Sequence, residues 1–185
     1  ALAERMLPFD VVYVLNHFFA EMSAALEATN GHYAQFNGDG LMALYGLDGD
    51  LDAGCRQALS GAVEMLRRLD KLNREDQPEV GEPLRIGIGI HSGEAIVGRM
   101  GPPQSPIVSA IGDTVNVAAR LESLTKTFGC NLVISEITAT RCGIDLTVFT
   151  REEAHLKGRR EPIAVFTLTD IESLAGQLSR STDLV

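Results

Sequence analysis

The sequence predicts an α+β fold, an antiparallel-rich sheet with helices on one face. Three observations carry that reading. Two long stretches, Pro8 to Thr29 and Leu51 to Asn73, repeat apolar residues at helical spacing. Between them, two short runs flank Asn37-Gly38-Asp39-Gly40, residues that favour the left-handed backbone a tight hairpin needs. Further along, Leu84, Ile86, Ile88 and Ile90 alternate with Arg85, Gly87 and Gly89, the period of a strand.

In the first helix, Val11, Val12, Leu15, Phe18, Phe19, Met22 and Leu26 form the apolar stripe, and Asn30-Gly31 closes it as a left-handed C-cap. His32 to Phe36 and Leu41 to Tyr45 are the hairpin strands, which puts Asp39 at the turn. The second helix carries Cys55, Leu59, Ala62, Val63, Leu66 and Leu69 along one stripe. Arg74 to Glu82, with Pro78 and Gly81, reads as a loop. The strand from Leu84 to Ile90 is glycine-rich but does not spell G-x-G-x-x-G and leads into no helix, so a dinucleotide fold is rejected. Strands follow at Ala95 to Arg99 and Ile107 to Ile111, then a helix, then a strand at Asn131 to Ile134 and a short helix near Ser135 to Thr140. Strands around Leu146 to Phe149, His155 to Leu156 and Val165 to Thr169 complete the sheet, and from Glu172 onward the chain reads as a short, fraying polar helix.

A chain of 185 residues, 45% hydrophobic and 22% charged, is most economically one globular domain with a real core. Its net charge of −9, with no long basic run, argues against nucleic acid or an anionic membrane as partner. A polyanionic ligand would have to be met by local positive charge or by metal. Cys55, Cys130 and Cys142 are odd in number and unpatterned, as expected of free thiols in a reducing compartment. No apolar run reaches membrane-spanning length and no signal-peptide pattern opens the chain. A cytoplasmic protein, or a cytosolic part of a larger one, is expected.

The most informative stretch runs from Ile111 to Glu122. It sets Asn116 and Arg120 four residues apart on a helix, so both project from one face, one turn apart. The guanidinium is a permanent, planar fork of donors suited to phosphate oxygens, and the amide can orient a hydroxyl. Taken alone, such a pair is commonly a solvated face. Asp113, after Gly112, is expected to cap the helix, and His91, Glu94, His17 and His32 receive no chemical role.

Three blocks in order change the weight of that pair: Gln35 to Ala43, Arg85 to Gly93, and Ile111 to Glu122. Together they resemble the class III nucleotide cyclase catalytic domain of bacterial type, from about Ala1 to Asp170. The resemblance implies a ferredoxin-like βαββαβ core with extra C-terminal strands, residues 1–170 forming the catalytic domain and 171–185 a C-terminal tail. It implies that the 3′ oxygen of a nucleoside triphosphate attacks its own α-phosphorus, forming a cyclic 3′,5′ ester and releasing pyrophosphate. Two divalent cations, Mg²⁺ or Mn²⁺, assist in such enzymes. Carried over by position, Asp39 is a metal carboxylate, Asn116 orients the ribose, Arg120 stabilises the charged transition state, and Lys157 grips the triphosphate. Gln35 and Ser109 occupy the base-reading positions.

Two departures matter. The family's second metal carboxylate lies in a first-strand motif that would end just before Ala1, so the chain as it stands is expected to be incomplete for activity. At the base-reading positions, adenylyl members typically carry Lys for Gln35 and Asp or Thr for Ser109, whereas guanylyl members carry an acid at the first. The neutral Gln35/Ser109 pair leans to ATP through the hydroxyl at Ser109, which resembles one bacterial adenylyl subgroup. A guanylyl or dual-specificity cyclase, and a degenerate regulatory dimerisation module, are the alternatives. The resemblance also implies a homodimer with sites shared between its chains, and an upstream sensor or regulatory domain.

Overall fold

The computed structural model describes residues 8–37, 40–80, 83–104, 106–156, 159 and 161–182. Helix α1 spans Pro8–Ala28, and Asn30 closes it at φ 56° as the cap residues predict. Strands β1 (His32–Asn37) and β2 (Gly40–Leu44) pair antiparallel with Asn37 opposite Gly40, the expected hairpin. Asp39 itself lies outside the described residues. Tyr45 follows, its hydroxyl 3.1 Å from that of Thr29. A Cβ on Gly61 would stand 2.1 Å from that hydroxyl, so the phenol ties the end of α1 to the second helix at a point where only glycine fits.

Helix α2 begins where the Asp50 carboxylate accepts from the Ala53 N–H at 2.9 Å, and it spans Leu51–Val80. The loop expected from Arg74 is therefore helix as far as Val80. Ion pairs one turn apart, Asp70 with Arg74 (2.9 Å) and Lys71 with Glu75 (3.8 Å), support the extension. Pro78 falls in the last turn, where the missing N–H forfeits one bond without breaking a longer ladder.

Strand β3 is Ile88–Ile90, shorter than the Leu84–Ile90 run predicted. The Asn73 side chain takes both the N–H and the C=O of Leu84, at 2.7 and 2.9 Å, so that end of the run is bonded to α2. Strands β4 (Ile96–Met100) and β5 (Ile107–Ile111) form a second hairpin, and β5 runs beside β1. Helix α3 (Asp113–Phe128) ends at Gly129 (φ 63°), followed by β6 (Leu132–Ser135) and α4 (Glu136–Cys142). The strand expected at Leu146–Phe149 is a single 3₁₀ turn, Leu146–Val148, whose Thr147 N–H is held by the Asp145 carboxylate at 3.0 Å. The strand starts after it, as β7 (Thr150–Ala154), leaving His155–Leu156 just past its end. Strand β8 (Ile163–Leu168) and α5 (Ile171–Thr182) complete the described chain.

The larger sheet runs β3-β6-β8-β7, parallel only between β3 and β6. Helices cover both of its faces, not one. Leu132, Ile134, Phe166 and Leu168 pack with Leu59 and Val63 of α2 and Leu174 of α5, while Val133 and Val165 pack with Val117 and Leu121 of α3. The uninterrupted apolar run Leu132-Val133-Ile134 is what a strand buried on both sides requires. The last helix is amphipathic rather than polar throughout: Leu174 is fully buried, and Arg67 reaches across to Glu172 at 2.9 Å. Met22 and Leu26 of α1 close a third apolar cluster against Met65, Leu69 and Leu72 of α2. All three cysteines are free and buried. Among the described residues no helix is long and apolar enough to cross a membrane.

Candidate active site

The site is organised by how α3 is seated. Val117, Leu121 and Thr125, at four-residue spacing, are its buried face. Beneath them the β3 segment presents Gly87 and Gly89, while Ile88 and Ile90 point into the α2 side of the sheet. A Cβ on Gly89 would come within 2.2 Å of the Glu122 nitrogen and 2.4 Å of the Ala118 oxygen, so the helix backbone rests almost directly on the strand. A Cβ on Gly87 would meet the Thr125 hydroxyl at 2.1 Å. These two glycines, already rejected as a dinucleotide fold on sequence grounds, are the seat of a helix.

That seat turns Asp113, Asn116 and Arg120 outward along one face. Asn116 is exposed and Arg120 half-buried, and neither side chain hydrogen-bonds another described residue. Asp113 does not cap: Gly112 occupies the cap position and makes no side-chain bond. The Asp113 carboxylate instead accepts a short charge-assisted bond from the guanidinium of Arg159. That bond holds the carboxyl below its usual range, with the charges of Arg159, Arg120 and His91 adding to the effect. Thr114 donates its hydroxyl to the Glu94 carbonyl at 2.5 Å, tying the first turn of α3 to the loop after β3.

His91 lies half-buried below this group, its Nδ1 2.8 Å from the Ser135 hydroxyl, which in turn is 2.9 Å from that of Thr138. Burial lowers its pKa, the positive charge of Arg159 lowers it further, and Asp113 opposes both. The cations near this face are Arg120, in the middle of α3, and Arg159, whose charge is paired with Asp113 at the first residue of the helix. Such a face can bind the phosphates of an anionic ester while the Asn116 amide contacts a hydroxyl.

The remaining expected residues fall as follows. Ser109 is buried in β5, opposite Gly98 of β4. Gln35 sits in β1, opposite Met42, on the strand that runs beside β5, so the strands carrying the two positions expected to read the base are neighbours. Asp39 and Lys157 lie outside the described residues. Among the described residues no three His, Cys, Asp or Glu side chains gather to hold a metal ion. Arg159 escaped sequence reasoning because its partner is 46 residues away; its one local sign was a second cation two residues after Lys157.

A family profile described as "Adenylate and Guanylate cyclase catalytic domain" matches residues 1–170. An adenylate cyclase of Anabaena cylindrica is 33% identical over 173 residues, covering 90% of this chain and 34% of that protein. Adenylate cyclase 1 of Rhizobium meliloti is 28% identical over 170 residues, covering 92% of this chain and 26% of that protein. The chain thus spans about a third or less of the length of these relatives. Among solved structures, the guanylyl cyclase Cya2 superposes with TM-score 0.79 at 27% identity, over 90% of this chain and 83% of that one.

Proposed function

The chain belongs to the family of adenylate and guanylate cyclase catalytic domains, and from that premise we propose that it converts ATP to 3′,5′-cyclic AMP and pyrophosphate. The observation that carries the reading is the outward face of α3, where Asn116 and Arg120 stand one turn apart with no hydrogen-bond partner among the described residues. In this reading the Asn116 amide bonds the ribose and holds its 3′ oxygen in line with the α-phosphorus. The Arg120 guanidinium meets the charge that builds on the phosphate as the new P–O bond forms and pyrophosphate leaves. Lys157 binds the departing end of the triphosphate. Gln35 and Ser109 read the base; both are neutral, and the adenylate cyclases among the relatives support adenine.

The described residues contain no metal cage of their own, and Asp39 is the carboxylate to which the family pattern assigns metal. Divalent cations, Mg²⁺ or Mn²⁺, when bound would lower the pKa of the 3′ hydroxyl and neutralise phosphate charge.

A homodimer belongs to the same proposal. Ile96 and Ile111, paired across the β4–β5 hairpin, are 74% and 60% exposed, an apolar strip suited to cover by a second copy. Asp39 of one chain would then work with Asn116 and Arg120 of its mate. The relatives extend far beyond this domain, which supports a sensor or regulatory domain in the same polypeptide; a cytoplasmic setting, where ATP is supplied, belongs to the same proposal.

The test is turnover of ATP and of GTP with Mg²⁺ or Mn²⁺ by the catalytic domain carrying the family's first-strand carboxylate motif, beside an Asp39→Ala control. Cyclic AMP as the main product, absent in the control, is expected; equal use of GTP would replace the adenylyl reading with dual specificity. Absence of product from a folded dimer would favour the regulatory module. Asp39→Ala and Arg120→Ala chains, each inactive alone, should recover activity when mixed. Heterodimers that stay inactive would refute the shared site.

A further inference from the structure

The ion pair between Asp113 and Arg159 joins two segments that the reaction needs together. Asp113 is the first residue of α3 and shares its outward face with Asn116 and Arg120. Arg159 lies in the connection between β7 and β8, where its backbone N–H donates to the Leu156 carbonyl at 3.0 Å. Leu156 is buried and packs in one cluster with Val117 and Leu121 of α3. The connection is therefore fastened to one helix at two points, an apolar one at Leu156 and a charged one at Arg159.

We propose that Asp113 and Arg159 are positioning residues for the cyclase reaction, their ion pair holding the β7–β8 connection in register with the α3 face that bears Asn116 and Arg120. The inference rests on the cyclase reading above.

Two physical points favour it over a purely structural role. The side chains are 61% and 35% exposed, and an exposed pair adds little to global stability. It is enough, however, to bias a short connection between docked and undocked arrangements, because local opening costs far less than unfolding. The second point concerns charge. Arg120 also acts on the Asp113 carboxylate, so the acid that binds Arg159 lies within the field of the guanidinium the reaction uses.

The experiment combines steady-state kinetics on ATP with hydrogen exchange of the β7–β8 connection, for Asp113→Asn, Arg159→Gln, the double variant and Arg159→Lys. Either single change should raise KM about tenfold and leave kcat within about twofold. The double variant should be no worse than the worse single one, since both remove the same interaction. Arg159→Lys should recover most of the loss. Amides of the connection should exchange faster in both single variants while thermal stability stays the same. Unchanged KM, or losses that simply add, would overturn the proposal. If the parent protein, with the first-strand carboxylate motif present, makes no cyclic product, the cyclase reading fails. Exchange then decides the ion pair separately: unchanged protection in both variants would sink the positioning role too.

Discussion

Strand β3 serves two helices in opposite ways. Toward α2 it presents Ile88 and Ile90, and the space is filled by side chains meeting side chains. Toward α3 it presents glycine, and helix backbone meets strand backbone with nothing between. A side-chain core can absorb a lost methyl by small rearrangements spread over many neighbours. A backbone seat cannot, because neither partner has a rotamer to change. Two residue types alternating along one short run thus separate a face that supplies stability from one that fixes the height of α3, and with it Asn116 and Arg120.

The sharpest way to break that distinction is to put a methyl on the seat. Gly89→Ala is expected to destabilise the protein by about 3 kcal/mol. The helix must also lift, and a shift of about 1 Å at a reacting group can lower turnover about 100-fold. Ile88→Val on the opposite face should cost about 1 kcal/mol and leave turnover per folded molecule unchanged. Thermal melts beside cyclase assays separate the two, and equal kinetic effects from both faces would dissolve the contrast. An intermediate effect is expected at Gly87, where the clash is with the Thr125 hydroxyl rather than with backbone. Gly87→Ala should cost about 1 kcal/mol, most of it recovered when Thr125→Ala is added, because the second change vacates the space the first one needs. A double variant as unstable as the single one would place the clash elsewhere.

The smallest effect is expected from pH. Burial disfavours the charged form of His91, so the unfolded chain binds a proton that the folded chain does not. Stability should therefore fall as pH drops through and below about 6.5, the ordinary histidine value. The carboxyls of Asp113, Asp145, Asp170 and Glu172, all held low by their partners, add their own loss only at more acidic pH, as they protonate. Melting temperatures at pH 7.5 and 5.5 should differ less in His91→Gln than in the parent; an identical slope would assign the pH response to other groups.

What could be read from the sequence follows how local its cause is. The β1–β2 hairpin was legible because Asn37 to Gly40 encode their own turn, and the outward face of α3 because Asn116 and Arg120 need only helical spacing to be neighbours. Gly87 and Gly89 were visible as glycines, but their reason is a helix that follows more than twenty residues later. The extension of α2 was hidden by Pro78, which suggests a loop unless its place in the last turn is known. The apolar run from Leu146 has the composition of a strand, and it took Asp145 bonding Thr147 to make it a turn. Asp113 looked like a cap from its position alone, and its partner Arg159 could be found only in three dimensions.

The phenol wedged between the end of α1 and Gly61 has a practical corollary. The chain has three tyrosines and no tryptophan, so its near-ultraviolet spectrum belongs to tyrosine. Tyr13 and Tyr33 are 54% and 41% exposed, whereas Tyr45 is more enclosed, and burial raises its pKa despite the hydrogen bond it shares with Thr29. Its phenolate should form late in an alkaline titration of the folded protein and earlier once the two helices part. The protein carries its own optical gauge of whether α1 and α2 remain joined, with no label attached.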